Sequence, residues 1–434
     1  MSQETLVAIV GCIAVLVLML IRVPIAVSLG SVAVAGFAYL VGWEPAIGIM
    51  IDSPIRTVTN FNFSVVPLFI LMGALVGVSG MSRELFRAAN AWVGQFRGGM
   101  AMATIFACGG FAAINGSSVA SAATMTHVAL PELRRAGYNP GFSAGVIAAG
   151  GTLGIMIPPS VMFILYAILT DTDVASLFIA GIIPGLIAIV LYCITIQVMY
   201  VFRPEWMPRG DPASREERID SSKDVWATLV LFIIVMGGIY GGFVTITEAA
   251  GLGVVGALAI GVLRRKLDWK GIELSLVEAL RTSASIFFIL IAAFLFQFFL
   301  AVTQMSQLLA DFLTTLPVGP LGVVIVILAF YIVVGMFVDE LAIILLTIPI
   351  VFPIVVDMGF SPIWFGVLVV VTVQIGLIAP PVGIICFIMN NMVPDIGLVN
   401  IYRGAMPFVI ADLFWLTLLI AFPSLSLFLV NQMG

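Results

Sequence analysis

Long apolar runs fill nearly the whole chain, and polar stretches interrupt them at only a few places. Apolar runs of about 18 residues or more are typical of transmembrane helices. In the first half, the pattern predicts helices at about 5–22, 24–42 and 62–80, an amphipathic segment at 82–97, a helical hairpin at about 101–130, a broken helix at about 140–170 and a long helix at 174–201.

The second half repeats this order after a polar, proline-containing stretch at 203–224, which we interpret as a linker. The predicted elements are helices at 225–242, 245–263 and 282–303, a short segment at 305–316, a hairpin at about 320–356, a broken helix at about 362–391 and a last helix at about 404–429.

The residues that punctuate these elements recur at one fixed offset of 222 positions. A gapless offset shared by seven pairs indicates an internal duplication, and we predict a first repeat at 1–202 and a second at 225–434. The seven pairs are Pro131 and Pro353, Gly137 and Gly359, Pro140 and Pro362, Gly154 and Gly376, Pro158 and Pro380, Pro159 and Pro381, and Asp173 and Asp395.

Composition assigns the chain to the integral membrane proteins. Of its 434 residues, 62% are hydrophobic and only 9% are charged, which excludes an ordinary soluble globule. The four cysteines lie far apart in apolar runs and predict neither a disulfide framework nor a metal site. We therefore expect a lipid bilayer around the protein and no nucleic-acid partner.

The basic residues predict the topology. If the N-terminus is outside and each hairpin enters and leaves on the same face, 17 of the 18 Lys and Arg residues are cytoplasmic and only Arg56 is outside, as the positive-inside rule requires. Each repeat then has five crossings and one re-entrant hairpin. Because five is odd, the two repeats are inverted. We predict about ten crossing helices, a cytoplasmic linker and both termini outside.

The amphipathic segment 82–97 suits a helix lying in the membrane interface. Two interpretations stay open for it: an arm that braces a mobile part of the protein against a fixed part, or an ordinary connector.

Each broken helix contains a Gly-x-x-x-Pro-Pro sequence. Two prolines remove two backbone donors and free the carbonyls one turn earlier. In hydrocarbon such carbonyls need partners, so a break persists where it lines a cavity or binds something. A proline kink that only helps helices pack is the alternative. A break duplicated in both repeats favours a substrate or ion site, as in secondary transporters.

The hairpin turns carry polar residues that suit a small cation. Hydroxyl and amide oxygens of the first turn, Asn115 to Ser118, are hard ligands of the kind Na⁺ accepts, although small residues also serve close helix packing. In the second turn, a carboxylate at membrane depth makes Asp339 the predicted ion ligand, and Glu340 is expected to cap the next helix. We interpret His127 as a packed residue in preference to a proton shuttle.

Taken together, these features resemble the large membrane subunit of the TRAP (tripartite ATP-independent periplasmic) transporters, the DctM-like family. The resemblance covers essentially the whole chain and is most specific in four segments: Asn115–Thr124, Gly150–Ser160, Gly335–Pro349 and Gly376–Pro381. It implies an all-α, inverted-repeat, elevator-type fold of the ion transporter superfamily. It also implies a bacterial inner membrane, so that the termini predicted to lie outside are periplasmic. It also implies two partners, a small four-helix membrane subunit and a periplasmic substrate-binding protein, and Na⁺-driven uptake of an organic acid such as a C4-dicarboxylate or a sialic acid.

The resemblance further implies two sodium sites. One would use Asn115, Ser117 and the carbonyls of Gly154, Ile157 and Pro159; the repeat offset puts the other at Asp339, tip carbonyls such as that of Gly335, and Gly376, Ala379 and Pro381. Relatives often carry serine where this chain has Asn115.

We expect the substrate between the hairpin tips, near Ser117, Ser118, Asp339 and Thr347. A transport body at about 101–170 and 320–391 would slide through a frame of the remaining helices.

A single-component carrier of the same architecture, coupled to H⁺ or Na⁺, is the alternative. Nothing in the sequence brings catalytic groups together, so we expect no enzyme. The sequence leaves open a pairing of Glu248 or Asp412 across helices and names no partner for either.

Overall fold

The computed structural model describes residues 3–21, 23–210, 212–315 and 317–433, and the regular structure within those ranges is helical, with no strand. The helices of the first half are α1 (Gln3–Leu20), α2 (Ile25–Val41), α3 (Trp43–Thr59), α4 (Val65–Val78), α5 (Met81–Val93), α6 (Gly99–Asn115), α7 (Ser118–Arg135), α8 (Pro140–Met156), α9 (Val161–Thr170) and α10 (Val174–Phe202).

One helix, α11 (Arg215–Asp224), lies between the halves. The helices of the second half are α12 (Trp226–Phe232), α13 (Gly238–Tyr240), α14 (Ile246–Leu263), α15 (Trp269–Val302), α16 (Met305–Thr315), α17 (Pro320–Gly335), α18 (Glu340–Asp357), α19 (Pro362–Ile378), α20 (Ile384–Met392), α21 (Leu398–Ala421) and α22 (Ser424–Met433). A π-helical turn at Ile233–Gly237 joins α12 to α13.

Among the described residues, eight helical segments are long and apolar enough to cross a membrane, and five further apolar helices are shorter. The long segments are Phe61–Val78, Pro140–Thr170, Val174–Phe202, Arg215–Tyr240, Ile246–Leu263, Trp269–Val302, Glu340–Asp357 and Leu398–Ala421. The prediction of an all-α integral membrane fold is confirmed.

Helix boundaries follow the 222-residue offset. The first and last residues of α7 and α8, shifted by 222, are the first and last residues of α18 and α19. Local sequence explains this agreement. Asn139 and Ser361 each cap the helix that follows, and each is followed by a proline at the first helical position, where its fixed φ and missing N–H are tolerated.

Both breaks are present where the sequence predicts them. Residues 157–160 separate α8 from α9, and residues 379–383 separate α19 from α20. The prolyl bonds of Pro158–Pro159 and Pro380–Pro381 are both cis. Each break contains the Pro-Pro pair of its copy.

Four predicted boundaries are wrong. Residues 43–59 form α3, although no helix was predicted between 42 and 62. The helix predicted at 282–303 begins 13 residues earlier, because Asp268 caps α15 by accepting the Gly271 amide at 2.8 Å. The linker contains α11. The last predicted helix, 404–429, is two helices, α21 and α22. In each case a capped or amphipathic polar segment was mistaken for a loop, or a break in an apolar run was missed.

The helices of the predicted body pack most closely at glycines. A Cβ at Gly145 in α8 would overlap the backbone of Gly404 in α21, and one at Gly141 would lie 2.7 Å from the Asn400 carbonyl oxygen. Small residues allow such backbone contact between membrane helices. Helix α21, which follows the second broken helix, is therefore packed directly against the first one.

The amphipathic helix α5 is tied to its neighbours by polar contacts. The buried Glu84 carboxylate accepts hydrogen bonds from both terminal nitrogens of Arg264, at 2.8 and 2.9 Å, and also contacts Lys266. Trp92 donates through its indole to the Ser222 hydroxyl at 2.8 Å. These bonds connect α5 to the end of α14 and to α11.

Candidate functional site

The first hairpin turns at Gly116 and Ser117, between α6 and α7. Gly116 has φ +66°, a left-handed conformation that glycine adopts without steric cost. Ser117 caps α7 by accepting the Ala120 amide at 3.4 Å. Asn115 is buried, and its side-chain amide donates to the Ser121 hydroxyl at 3.3 Å and to the Ser117 carbonyl at 3.4 Å. The tip is thus built from neutral oxygen and nitrogen groups.

The first break frees a carbonyl beside this tip. Pro158 and Pro159 have no N–H to donate to the carbonyls of Gly154 and Ile155. The Ser160 hydroxyl donates to the Ile155 carbonyl at 2.5 Å. The Gly154 carbonyl is left without its usual intrahelical donor, as a cation ligand requires.

Tip and break are in direct contact. A Cβ on Gly154 would overlap the Ser117 carbonyl oxygen, and a Cβ on Gly116 would lie 2.7 Å from the Pro159 carbonyl oxygen. Ile157 lies in the same break with an extended backbone. The structure therefore brings together the residues that were predicted for the first sodium site.

The second tip meets the second break in the same way. A Cβ on Gly376 would lie 2.5 Å from the carbonyl carbon of Gly335, and the Gly383 amide donates to the Met336 carbonyl at 3.1 Å. Ala379 begins the break with an extended backbone. The Pro381 carbonyl already accepts the Tyr402 hydroxyl at 2.8 Å, a contact that the sequence did not reveal.

In the second tip, the carboxylate that caps α18 is that of Asp339 and not, as expected, that of Glu340. Asp339 caps α18 by accepting the Leu341 amide at 3.0 Å. Glu340, expected to be the cap, is instead buried, with 6% of its surface exposed. The expectation for Glu340 is wrong because Asp339, one residue earlier, occupies the capping position.

Glu340 accepts a hydrogen bond from the Ser118 hydroxyl of the first tip. These two residues are equivalent in the duplication, since 340 is 222 positions after 118. Equivalent residues of two copies can touch only near the axis that relates the copies. The two tips therefore meet at the same place in the fold, which no local pattern in the sequence could show.

A cavity of about 90 Å³ lies where the tips face the frame helices α4 and α15. Glu340 and Ser117 line it from the tips, and Glu278 and Thr282 line it from α15. Sequence reasoning missed Glu278 because it placed the start of α15 too late. No basic side chain is among the described residues that line the cavity: Ile70, Ala74, Asn115, Gly116, Ser117, Ala120, Val161, Glu278, Thr282, Ile286, Glu340 and Leu341.

Larger clefts open at both ends of α4. One, of about 470 Å³, lies at its start beside Phe63 and Val65; the other, of about 670 Å³, lies at its end beside Gly77. Ile70 and Ala74, which line the tip cavity, are midway along the same helix. The cavity thus lies between two clefts on opposite faces of the protein.

Three other predicted or unassigned residues lie elsewhere. Thr347 is buried and bonds within its own hairpin, to the Tyr331 hydroxyl at 2.5 Å and the Ile343 carbonyl at 2.6 Å, and it does not line the tip cavity. His127 is exposed and lines the larger cleft, so its interpretation as a packed residue is wrong. Glu248 completes a capping box with Thr245 at the start of α14.

Comparison with known proteins agrees with this architecture. The family model described as "Tripartite ATP-independent periplasmic transporter, DctM component" matches residues 12–425. The chain is 35% identical over 380 residues to the C4-dicarboxylate TRAP transporter large permease protein DctM of Pseudomonas aeruginosa, covering 87% of this chain and 88% of that one. It is 31% identical over 375 residues to the sialic acid TRAP transporter large permease protein SiaM of Vibrio cholerae, covering 86% and 87%.

The fold is similar to that of a solved transporter. The crystal structure of the Alcanivorax borkumensis YdaH transporter, described as having an unusual topology, superposes with a TM-score of 0.63 at 14% identity, covering 88% of this chain and 89% of that one. The relatives are named as permeases, which confirms the prediction of a transport protein and not an enzyme. The chain belongs to the DctM family, the large permease component of the tripartite ATP-independent periplasmic transporters.

Proposed function

We propose that this protein takes up a small organic anion across the bacterial inner membrane by Na⁺-coupled symport, receiving the substrate from a periplasmic binding protein. The main support for this proposal is the contact between the two hairpin tips. Equivalent tips touch through Ser118 and Glu340, each tip lies against a broken helix, and a cavity opens beside them between clefts on opposite faces.

The charge of the cavity supports coupling to a cation. Its lining includes the carboxylates of Glu278 and Glu340 and, among the described residues, no positive side chain. An organic anion entering such a site would be repelled unless cations neutralise it. Na⁺ held by the carbonyls and hydroxyls of the tips and breaks supplies that charge, so the cation and the anion each favour binding of the other.

The oxygen groups fit Na⁺. At the first break, the Gly154 carbonyl lacks its intrahelical donor, and the Cα of Gly154 packs against the backbone of Ser117. At the second, Asp339 adds a carboxylate, while Gly335 and Gly376 are in contact. Bound Na⁺ would neutralise the substrate's charge. We retain Ser117 as a substrate-facing residue and add Glu340, Glu278 and Thr282, which line the same cavity. Ser118, which does not line the cavity, instead positions Glu340 through its hydrogen bond. Thr347 is withdrawn from the substrate site.

The proposed movement is an elevator. Hairpins and broken helices at about 101–170 and 320–391 form the body, and the close packing of Gly145 on Gly404 adds α21 to it. The frame retains α4 and α15. The proposed topology has inverted repeats, a cytoplasmic linker and periplasmic termini. Reporter fusions at each terminus and in α11 test this topology.

The family name supports the partners. A tripartite transporter has two components besides this one, which we propose are the small four-helix membrane subunit and the periplasmic binding protein. The names of the relatives support the substrate class, an organic acid such as a C4-dicarboxylate or a sialic acid. Purification with a four-helix partner would distinguish this assembly from a single-component carrier coupled to H⁺ or Na⁺.

The direct test is uptake into proteoliposomes that contain this chain with its partners. We expect uptake to require an inward Na⁺ gradient and to stop when choline replaces Na⁺. Uptake at the same rate without the gradient would refute the coupling. A proton gradient imposed without Na⁺ is the matched control, and uptake driven by it would favour the proton-coupled alternative.

A further inference from the structure

A cluster of four polar side chains is buried between the two broken helices. The Tyr192 hydroxyl donates to Asp412 Oδ1 at 2.7 Å, and the Gln374 amide nitrogen donates to the Tyr192 oxygen at 2.9 Å. The Thr152 hydroxyl lies 3.4 Å from the same oxygen. All four side chains are fully buried, at 0% exposure. Since 374 is 222 positions after 152, Thr152 and Gln374 are equivalent, and the cluster lies near the axis that relates the copies.

Two acceptor atoms of this cluster have no hydrogen-bond partner: Asp412 Oδ2 and Gln374 Oε1. The nearby hydroxyl protons are already used. Tyr192 donates to Asp412 Oδ1, and Thr152 donates to the Ala149 carbonyl at 2.7 Å. A buried acceptor without a donor is costly, and a buried charge without a partner costs more.

Among the described residues, no positive group pairs with the Asp412 carboxylate, since none of the ion pairs of the protein includes it. The indole N–H of Trp415, one turn along α21, also lacks a partner, but an N–H dipole does not neutralise a full charge. An unpaired acid at membrane depth is a functional feature by default.

The surroundings contain few groups that could share a proton with Asp412. Helices α8 and α19, which pack against α21, carry no titratable side chain. The titratable groups on the other packed elements are Tyr192, Cys193 and Tyr200 on α10 and Cys386 on α20; Tyr402 and Arg403 lie on α21 itself. Of these, Tyr192 is the one that bonds to Asp412.

We propose that Asp412 Oδ2 and Gln374 Oε1, with the oxygens of Tyr192 and Thr152, form a third cation site that binds a small monovalent cation, Na⁺ or H⁺. The cation satisfies both unpaired acceptors and neutralises the carboxylate. It also holds α19 and α21 of the second copy to α8 and α10 of the first. Occupancy thereby favours the arrangement in which both breaks and both tips are together. The site goes beyond the two tip sites proposed above.

The test uses the purified full chain in nanodiscs, where binding can be measured without uptake. Failure of Na⁺-driven uptake would therefore be distinguishable from failure of this site. The variant is Asp412→Asn, which keeps the size of the side chain and removes its charge. The matched control is Glu216→Gln, which removes an exposed acid on α11.

The first arm counts bound ²²Na⁺ per chain at saturation. If the site binds Na⁺, Asp412→Asn binds one ion fewer than the wild type and Glu216→Gln binds the same number. The second arm measures the thermal midpoint without Na⁺ as the pH rises. If the site binds H⁺, the folded wild type holds a proton that the unfolded chain releases, so its midpoint falls as the pH rises, and that fall is absent in Asp412→Asn.

Both arms also separate a cation site from a purely structural one. Without Na⁺ and at high pH, Asp412→Asn should melt above the wild type, because an uncompensated buried charge has been removed. Tyr192→Phe keeps the carboxylate but removes its hydrogen-bond donor. If the site binds H⁺, this variant should shift the fall of the thermal midpoint to higher pH. If the site binds Na⁺, it should change the Na⁺ concentration that half-saturates ²²Na⁺ binding. The proposal is overturned if Asp412→Asn changes neither the ion count nor the pH dependence. If Asp412→Asn does not fold, the proposal is overturned when Tyr192→Phe changes neither the half-saturating Na⁺ concentration nor the pH dependence.

Discussion

The two hairpin tips have matched backbones and different charges. Ser117 caps α7 where Asp339 caps α18, and Ser118 lies opposite Glu340. In each pair the second residue is 222 positions after the first. The first tip thus has a hydroxyl wherever the second has a carboxylate.

This divergence is what lets the tips meet. A hydroxyl can donate to a carboxylate, so Ser118 and Glu340 form a hydrogen bond across the axis. Two carboxylates in the same place would repel each other, and two serines would leave the tips without charge. The comparison teaches that duplication fixes where the groups are and that substitution decides what they bind.

Making the tips alike should have the largest effect. Ser118→Glu puts two buried carboxylates against each other, and we expect uptake in proteoliposomes to fall about 100-fold or more, since close like charges cost several kcal/mol. The control is the exchange Ser118→Glu with Glu340→Ser, which restores a hydroxyl–carboxylate pair in the reverse direction. An exchange variant no more active than the single variant would contradict this account of the contact.

Removing the close approach at either break should rank second. A Cβ at Gly154 or Gly376 meets the backbone of its tip, which cannot move aside as a side chain can. We expect Gly154→Ala and Gly376→Ala each to destabilise the protein by about 1–3 kcal/mol. The two variants should reduce the rate of uptake to a similar extent. Gly251→Ala is the control, because nothing lies within 4 Å of its added Cβ. A loss of uptake in only one of the two variants would show that the two breaks are not equivalent in function.

The charge difference should appear next, in Na⁺ affinity. Asn is a good helix cap, so Asp339→Asn keeps the cap of α18 and removes the charge. We expect the half-saturating Na⁺ concentration for uptake to rise about tenfold, equivalent to about 1.4 kcal/mol. Ser117→Ala, at the equivalent position, should raise it by less because that site relies on neutral oxygens. Equal effects at the two positions would remove the distinction between the tips.

The smallest effect is expected at Thr347, which belongs to the second hairpin but not to its tip. Thr347→Val removes its bonds to Tyr331 and Ile343 and should lower the free energy of unfolding by about 1 kcal/mol. The substrate concentration at half-maximal uptake should stay unchanged. A clear rise in that concentration would return Thr347 to the substrate site.

Much of the site could be predicted because its signals are local. Proline and glycine spacing located both breaks, and capping residues fixed where α7, α8, α18 and α19 begin. The same local view failed at α3 and at the start of α15, where charged residues interrupt the apolar pattern of a helix. It also assigned the cap of α18 to Glu340 instead of Asp339, since both lie at the same helix start.

By itself, the sequence determined the helical membrane fold, the duplication and the two unwound segments, because apolar periodicity, proline and glycine act on the chain within a few residues. Only the tertiary structure decided that Ser118 meets Glu340, that Glu278 faces the tips, and that Asp412 bonds to Tyr192. Those contacts join residues far apart in the chain. Their energies depend on how whole helices pack, which no local pattern encodes.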